Sequence, residues 1–248
     1  MLLYTDDEDV YPVGCTYLCY NLLMKPKGTS KLKAKLLGVY YGNPAKDMKL
    51  IIIAGEGKVT VSHFVHEILR SANEQVAVFA SNQFFKMSVL HKFLNDAWKA
   101  GANYVVITAP LETLQNGIFA DLPIQVAATT ELTDDLTATD LFKLSPKTAV
   151  LPLSNSKLPE LKDVKGDAKT VTFGQTTGCD VKTLKSKLYK RGSEATLMVE
   201  KDVINPATFV PGEAAINYMA LATAIAHSLG IKNDAILDGI ANYDPENK

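Results

Sequence analysis

The chain is short of three things that would narrow its class at once. It has 3 cysteines, Cys15, Cys19 and Cys179, an odd number with no Cys-x-x-Cys spacing. That points away from a disulfide framework and from a zinc site, and toward buried thiols in a reducing compartment. It lacks an excess of either charge, with a net −1 over 248 residues, so neither nucleic acid nor an anionic membrane is an expected partner. No apolar run approaches membrane-spanning length, and Met1-Leu2-Leu3-Tyr4 meets Asp6, Asp7, Glu8 and Asp9, the wrong charge for a signal peptide. A cytoplasmic protein is expected. The composition, 47% hydrophobic, is enough for one large α/β domain with a small appendage.

What the chain does have is the stretch from Lys49 to Arg70. Leu50 to Ala54 is a short β-branched run suited to a parallel strand buried on both faces. Gly55-Glu56-Gly57-Lys58 interrupts it, and Val61, Phe64, Val65, Ile68 and Leu69 then recur at helical spacing. Strand, glycine loop and helix N-terminus together form the geometry that receives phosphate, with Lys58 placed to reach it. The pattern is damaged, because Val59 stands where a metal-ligating Ser or Thr belongs. Glu56 also adds a carboxylate to a loop for anions, which is unfavourable unless it turns outward. An ordinary glycine turn between strand and helix is the alternative reading.

Further strands are predicted at Gln75 to Ala80, Tyr104 to Ile107, Ile124 to Ala128, Thr148 to Leu153 and Lys169 to Phe173. Helices are predicted at Ser30 to Tyr41, Phe84 to Ala100, Glu213 to Leu229 and Asn233 to Ala241. The alternation predicts an α/β fold, a doubly wound, mostly parallel sheet. A small antiparallel extension follows at Asp180 to Leu188 and Ala195 to Glu200, turning at Arg191-Gly192-Ser193. Tyr11 to Leu23 is mixed aromatic and aliphatic, and residues 1–43 read as an N-terminal appendage ahead of a main domain at 44–248.

Tyr40-Tyr41-Gly42-Asn43-Pro44-Ala45 before the glycine loop, and Pro211-Gly212-Glu213, Asn217-Tyr218-Met219-Ala220 and Leu229-Gly230-Ile231 near the C-terminus, carry a resemblance. In order and spacing they resemble the central ATP-binding domain of the Mur ligases, most of all the UDP-N-acetylmuramyl-tripeptide ligases. The resemblance covers roughly Leu36 to Pro245. It implies that residues 1–43 are a remnant of the UDP-binding domain and that the C-terminal ligase domain is absent.

Carried over residue by residue, the resemblance makes Gly55, Gly57, Lys58 and Thr60 the nucleotide-binding candidates. The metal-binding parts are replaced: Val59 stands for the loop hydroxyl, and Thr108 for the glutamate after the third strand. The family's Asn-Leu-Thr-x-Asp-His-Leu pattern becomes Glu131-Leu132-Thr133-Asp134-Asp135-Leu136 without its histidine. No lysine, arginine or histidine lies between Lys99 and Lys143, where the carbamylated lysine belongs. Pro152-Leu153-Ser154-Asn155 replaces a further Asn-Ala-Asp-Asp segment. Thr60, Thr108 and Asp135 are the remaining metal candidates, and Glu112 is a further acidic group near a strand end.

Two functions follow. One is a degenerate Mur-ligase-like module of peptidoglycan precursor synthesis, non-catalytic, binding a nucleotide or a partner protein. The other is an ATP-dependent amide ligase or nucleotidase completed by another chain. ATP is the cofactor implied; magnesium lacks a full set of ligands. Surfaces left where neighbouring domains pack predict a homodimer or a stable partner. His63 and His66, one turn apart, find no acidic partner in sequence. Lys182, Lys185, Lys187, Lys190 and Arg191 read as a solvated face.

Overall fold

The computed structural model describes residues 30–153 and 167–245. Cys15, Cys19, the Tyr11 to Leu23 stretch and the Ser154-Asn155 half of the replaced segment lie outside the described residues.

Helix α1 (Ser30–Tyr40) and a 3-10 turn (Pro44–Asp47) precede strand β1 (Lys49–Ala54). Then follow α2 (Lys58–Ser71), β2 (Val76–Phe79), α3 (Met87–Lys99), β3 (Tyr104–Thr108), the short α4 (Leu111–Gln115), β4 (Ile124–Thr129), the short α5 (Ala138–Phe142) and β5 (Thr148–Pro152). After these come β6 (Lys169–Gly174), β7 (Val181–Tyr189), β8 (Gly192–Val199), β9 (Asp202–Ile204), β10 (Ala207–Thr208), α6 (Glu213–Ser228) and α7 (Asn233–Asn242).

Among the described residues the strands form one sheet ordered β10-β8-β7-β6-β5-β4-β1-β3-β2, with β9 beside β8. Pairing is parallel from β2 through β7, and β8, β9 and β10 add antiparallel strands at one edge. The expected mostly parallel sheet with an antiparallel extension is what forms. Alternation along β1 explains the two cores. Ile51 and Ile53 pack with Phe64, Val65 and Ile68 of α2 and with α6 and α7, whereas Leu50, Ile52 and Ala54 face α1, α3 and the short helices.

Local differences from the sequence expectation are small. The long second helix starts at Met87 rather than Phe84, because Phe85 turns inward against Phe79 at 4.8 Å and is used as core before the helix begins. The hairpin turn is Lys190-Arg191: Gly192 already pairs with Tyr189, and a Cβ there would collide with the Thr208 carbonyl. Ala34 and Leu37 of α1 belong to the same core cluster as α3, so this helix packs onto the sheet domain.

Candidate functional site

Strand β1 hands the chain to α2 and onward to β2, while β4 sends it the other way to β5, so the loops after β1 and β4 diverge over adjacent strand ends. Such a switch point is where open α/β sheets place ligands. The register brings Ala54 level with Thr129, which sets the two loops side by side. Gly55 and Gly57 take φ of 91° and 71°, left-handed values that favour glycine. There is no room for side chains either: a Cβ at Gly55 would meet the Thr130 hydroxyl, and one at Gly57 would enter the Tyr218 ring.

Helix α2 starts at Lys58 with Gly57 as its N-cap. Its first-turn amides are the ones a phosphate would use. The loop amide of Glu56 instead donates to Glu131 Oε1 at 3.1 Å. Glu131 is held there by its own backbone: Thr129 Oγ1 donates to the Glu131 carbonyl at 2.7 Å and accepts from the Glu131 amide at 3.4 Å. Tyr218, in the second turn of α6, covers Gly57 from the other side, and burial together with the Glu56 and Glu131 carboxylates pushes its phenol above the usual tyrosine value. Glu56 turns outward to solvent. Lys58 makes no ion pair or hydrogen bond among the described residues, and partial burial pulls its ammonium below the usual lysine value.

Gly55, Gly57, Lys58 and Thr60 therefore gather at one place. The other two metal candidates do not join them as free ligands. Thr108 is fully buried at the end of β3, where its hydroxyl donates to the Ser81 carbonyl at 2.8 Å and accepts from the Ser81 amide at 2.7 Å. Asp135 is exposed on the loop after β4. No cluster of three or more His, Cys, Asp or Glu side chains able to hold a metal exists among the described residues. The remaining donors at the loop, the Thr60 hydroxyl and a Glu131 carboxylate already hydrogen-bonded to the Glu56 amide, are a poor fit to magnesium, which asks for several oxygen ligands in octahedral array. His63 and His66 serve the core: His63 stacks on Tyr243 at 5.3 Å, and His66 Nδ1 lies 3.0 Å from Glu67.

No family model matches the chain. It is 25% identical over 218 residues to UDP-N-acetylmuramoyl-L-alanyl-D-glutamate–2,6-diaminopimelate ligase of Clostridium tetani, covering 77% of this chain and 44% of that one. A solved structure of a ligase of the same name superposes with a TM-score of 0.73 at 17% identity, over 87% of this chain and 50% of that one. The chain is similar, at low identity, to the Mur ligases. Its fold is that of their central domain, and it spans about half the length of the curated relatives it matches, 44% and 51%. The fold reaches beyond that group: Mycobacterium tuberculosis folylpolyglutamate synthase complexed with ADP superposes with a TM-score of 0.71 at 15% identity, over 92% of this chain and 65% of that one. Among the described residues no helix is long and apolar enough to cross a membrane.

In this Mur-ligase-like chain, sequence reasoning missed the two groups that close the loop. Glu131 was legible as a substituted position in the quoted pattern, and Tyr218 as a large ring beside Asn217, but neither position signals contact with a loop far away in sequence. Asn217, by contrast, is exposed.

Proposed function

We propose that the chain is a non-catalytic Mur-ligase-like module of peptidoglycan precursor synthesis, acting in the cytoplasm through a partner protein, or through weak nucleotide binding, rather than by forming an amide bond. The observation that carries this reading is the Glu131 carboxylate on the Glu56 amide. A carboxylate there takes the place an anionic phosphate would need, and repels one. The fully engaged Thr108 hydroxyl and the valine at position 59 add to it, since acyl phosphate formation depends on metal charge and positioning. Leu32, Leu36, Val39 and Tyr40 form an exposed apolar face on α1, which supports contact with a second copy or a separate protein.

One observation favours a second reading, an ATP-dependent ligase or nucleotidase completed by another chain: Lys58 keeps an ammonium without an ion pair among the described residues. Calorimetric titration with ATP, with and without magnesium, separates the two when run beside Lys58→Ala. The first reading expects no magnesium-dependent binding tighter than about 1 mM, roughly 4 kcal/mol, and no amide product or ADP from a UDP-muramyl substrate. Micromolar binding that needs both magnesium and Lys58, or any amide product, overturns it.

A further inference from the structure

Helix α1 carries two apolar stripes. Ala34, Leu37 and Gly38 are buried, and Ala34 and Leu37 join the core shared with α3 and one side of β1. Leu32, Leu36, Val39 and Tyr40 follow the i, i+4, i+7, i+8 spacing of a single helical face, roughly opposite the buried one. They are 52%, 45%, 72% and 57% exposed, so the described residues leave that face uncovered. Tyr40 is braced by an edge-on contact with Tyr41 at 4.9 Å. A helix apolar on both sides is suited to burial on both, and four adjoining apolar side chains on one face are more than isolated exposures.

Charge and chain length decide what covers the stripe. A second copy offering the same face is disfavoured, because α1 carries Lys31, Lys33 and Lys35 and no carboxylate, and like charges would meet along the seam. The chain's own residues 10–24 match better. They hold no charged side chain, and Tyr17, Leu18, Tyr20, Leu22 and Leu23 supply apolar surface. Lys25-Pro26-Lys27-Gly28 then reads as a turn, and α1 begins at Ser30. The uncharged stretch is thus tied to the helix that bears the stripe by a connection of the length that joins neighbouring packed elements.

We infer that residues 10–24 lie on the Leu32, Leu36, Val39 and Tyr40 stripe of the same chain, as a cover that a partner protein must displace to reach α1. The inference concerns only what occupies this face, so it stands or falls apart from the non-catalytic reading.

Hydrogen exchange of the full chain, read by mass spectrometry on peptides spanning 10–24, tests it. Exchange there is expected to be at least about tenfold slower than in the urea-unfolded chain, and unchanged on about tenfold dilution. The pair Leu36→Glu, Val39→Glu changes two exposed side chains of α1, and the pair Leu22→Glu, Leu23→Glu changes the covering stretch. Each pair is expected to return 10–24 to the unfolded rate while peptides over β1 and α2 keep their protection. No protection of 10–24 in the wild type, or protection retained in either pair, overturns the inference. Protection that fades on dilution overturns it as well, because the cover then comes from a second copy.

Discussion

The two ends of the parallel sheet are built from the same strands and differ in what fills them. At the C-terminal end, where the glycine loop sits, the chain's own Glu131 and Tyr218 occupy the ground over Gly55 to Lys58. At the N-terminal end a cleft of about 840 Å³ is left open, with a buried nitrogen unpaired. The topology points to the first end as the ligand site, while the side chains leave room at the second. The difference teaches that a fold nominates a site and loop residues decide whether it is available.

The comparison is broken most forcefully at Gly239. A Cβ there would collide with the Ile68 backbone, so Gly239→Ala must lift α7 from α2, the helix that carries the glycine loop. A loss of about 3 kcal/mol is expected, read as the denaturation midpoint, with the His91 NMR signal unmoved. An unchanged midpoint would show that α7 shifts freely and that the loop end is not rigidly held.

A pH scan sharpens the other end by nearly as much. His91 titrates at about 4 when folded, below its ordinary 6.5, so the unfolded chain takes up the proton first. Its contribution is intact above 6.5 and lost as the pH falls from 6.5 to 4, about 3 kcal/mol in all. Urea unfolding at several pH values, in the wild type and in His91→Gln, is expected to show this slope only in the wild type. Equal slopes would remove His91 as its source.

The smallest effect is the most pointed. Glu131→Ala frees the Glu56 amide and removes a repelling carboxylate, at a stability cost of about 1 kcal/mol. Inorganic phosphate or ATP is then expected to bind about tenfold more tightly, a change of roughly 1.4 kcal/mol. Unaltered affinity would mean that Glu131 does not close the loop and that Tyr218 or the missing metal ligands limit it.

Strand, glycine loop and helix around Leu50 to Arg70 were legible because each is written in neighbouring residues: a β-branched run, two glycines, a 3.6-residue period. The hairpin turn was misplaced by about one residue because Gly192 serves a close approach to Thr208 and not the turn itself, a demand set by another strand. Thr108 reads in sequence as a possible ligand, and only the approach of Ser81 shows its hydroxyl to be engaged. His91 is one polar residue on an apolar helical stripe, and nothing beside it in sequence reveals its unpaired nitrogen.

The sequence by itself determined the α/β class, the glycine loop with its lysine, the valine that follows that lysine and the similarity to Mur ligases, since composition, period and local pattern are properties of adjacent residues. Tertiary structure alone decided that Glu131 lies on the Glu56 amide, that Tyr218 covers Gly57 and that a cleft opens beside His91. The first two depend on strand register and helix packing between segments 75 and more residues apart, and the cleft on packing among separate helices and loops, which no local pattern encodes.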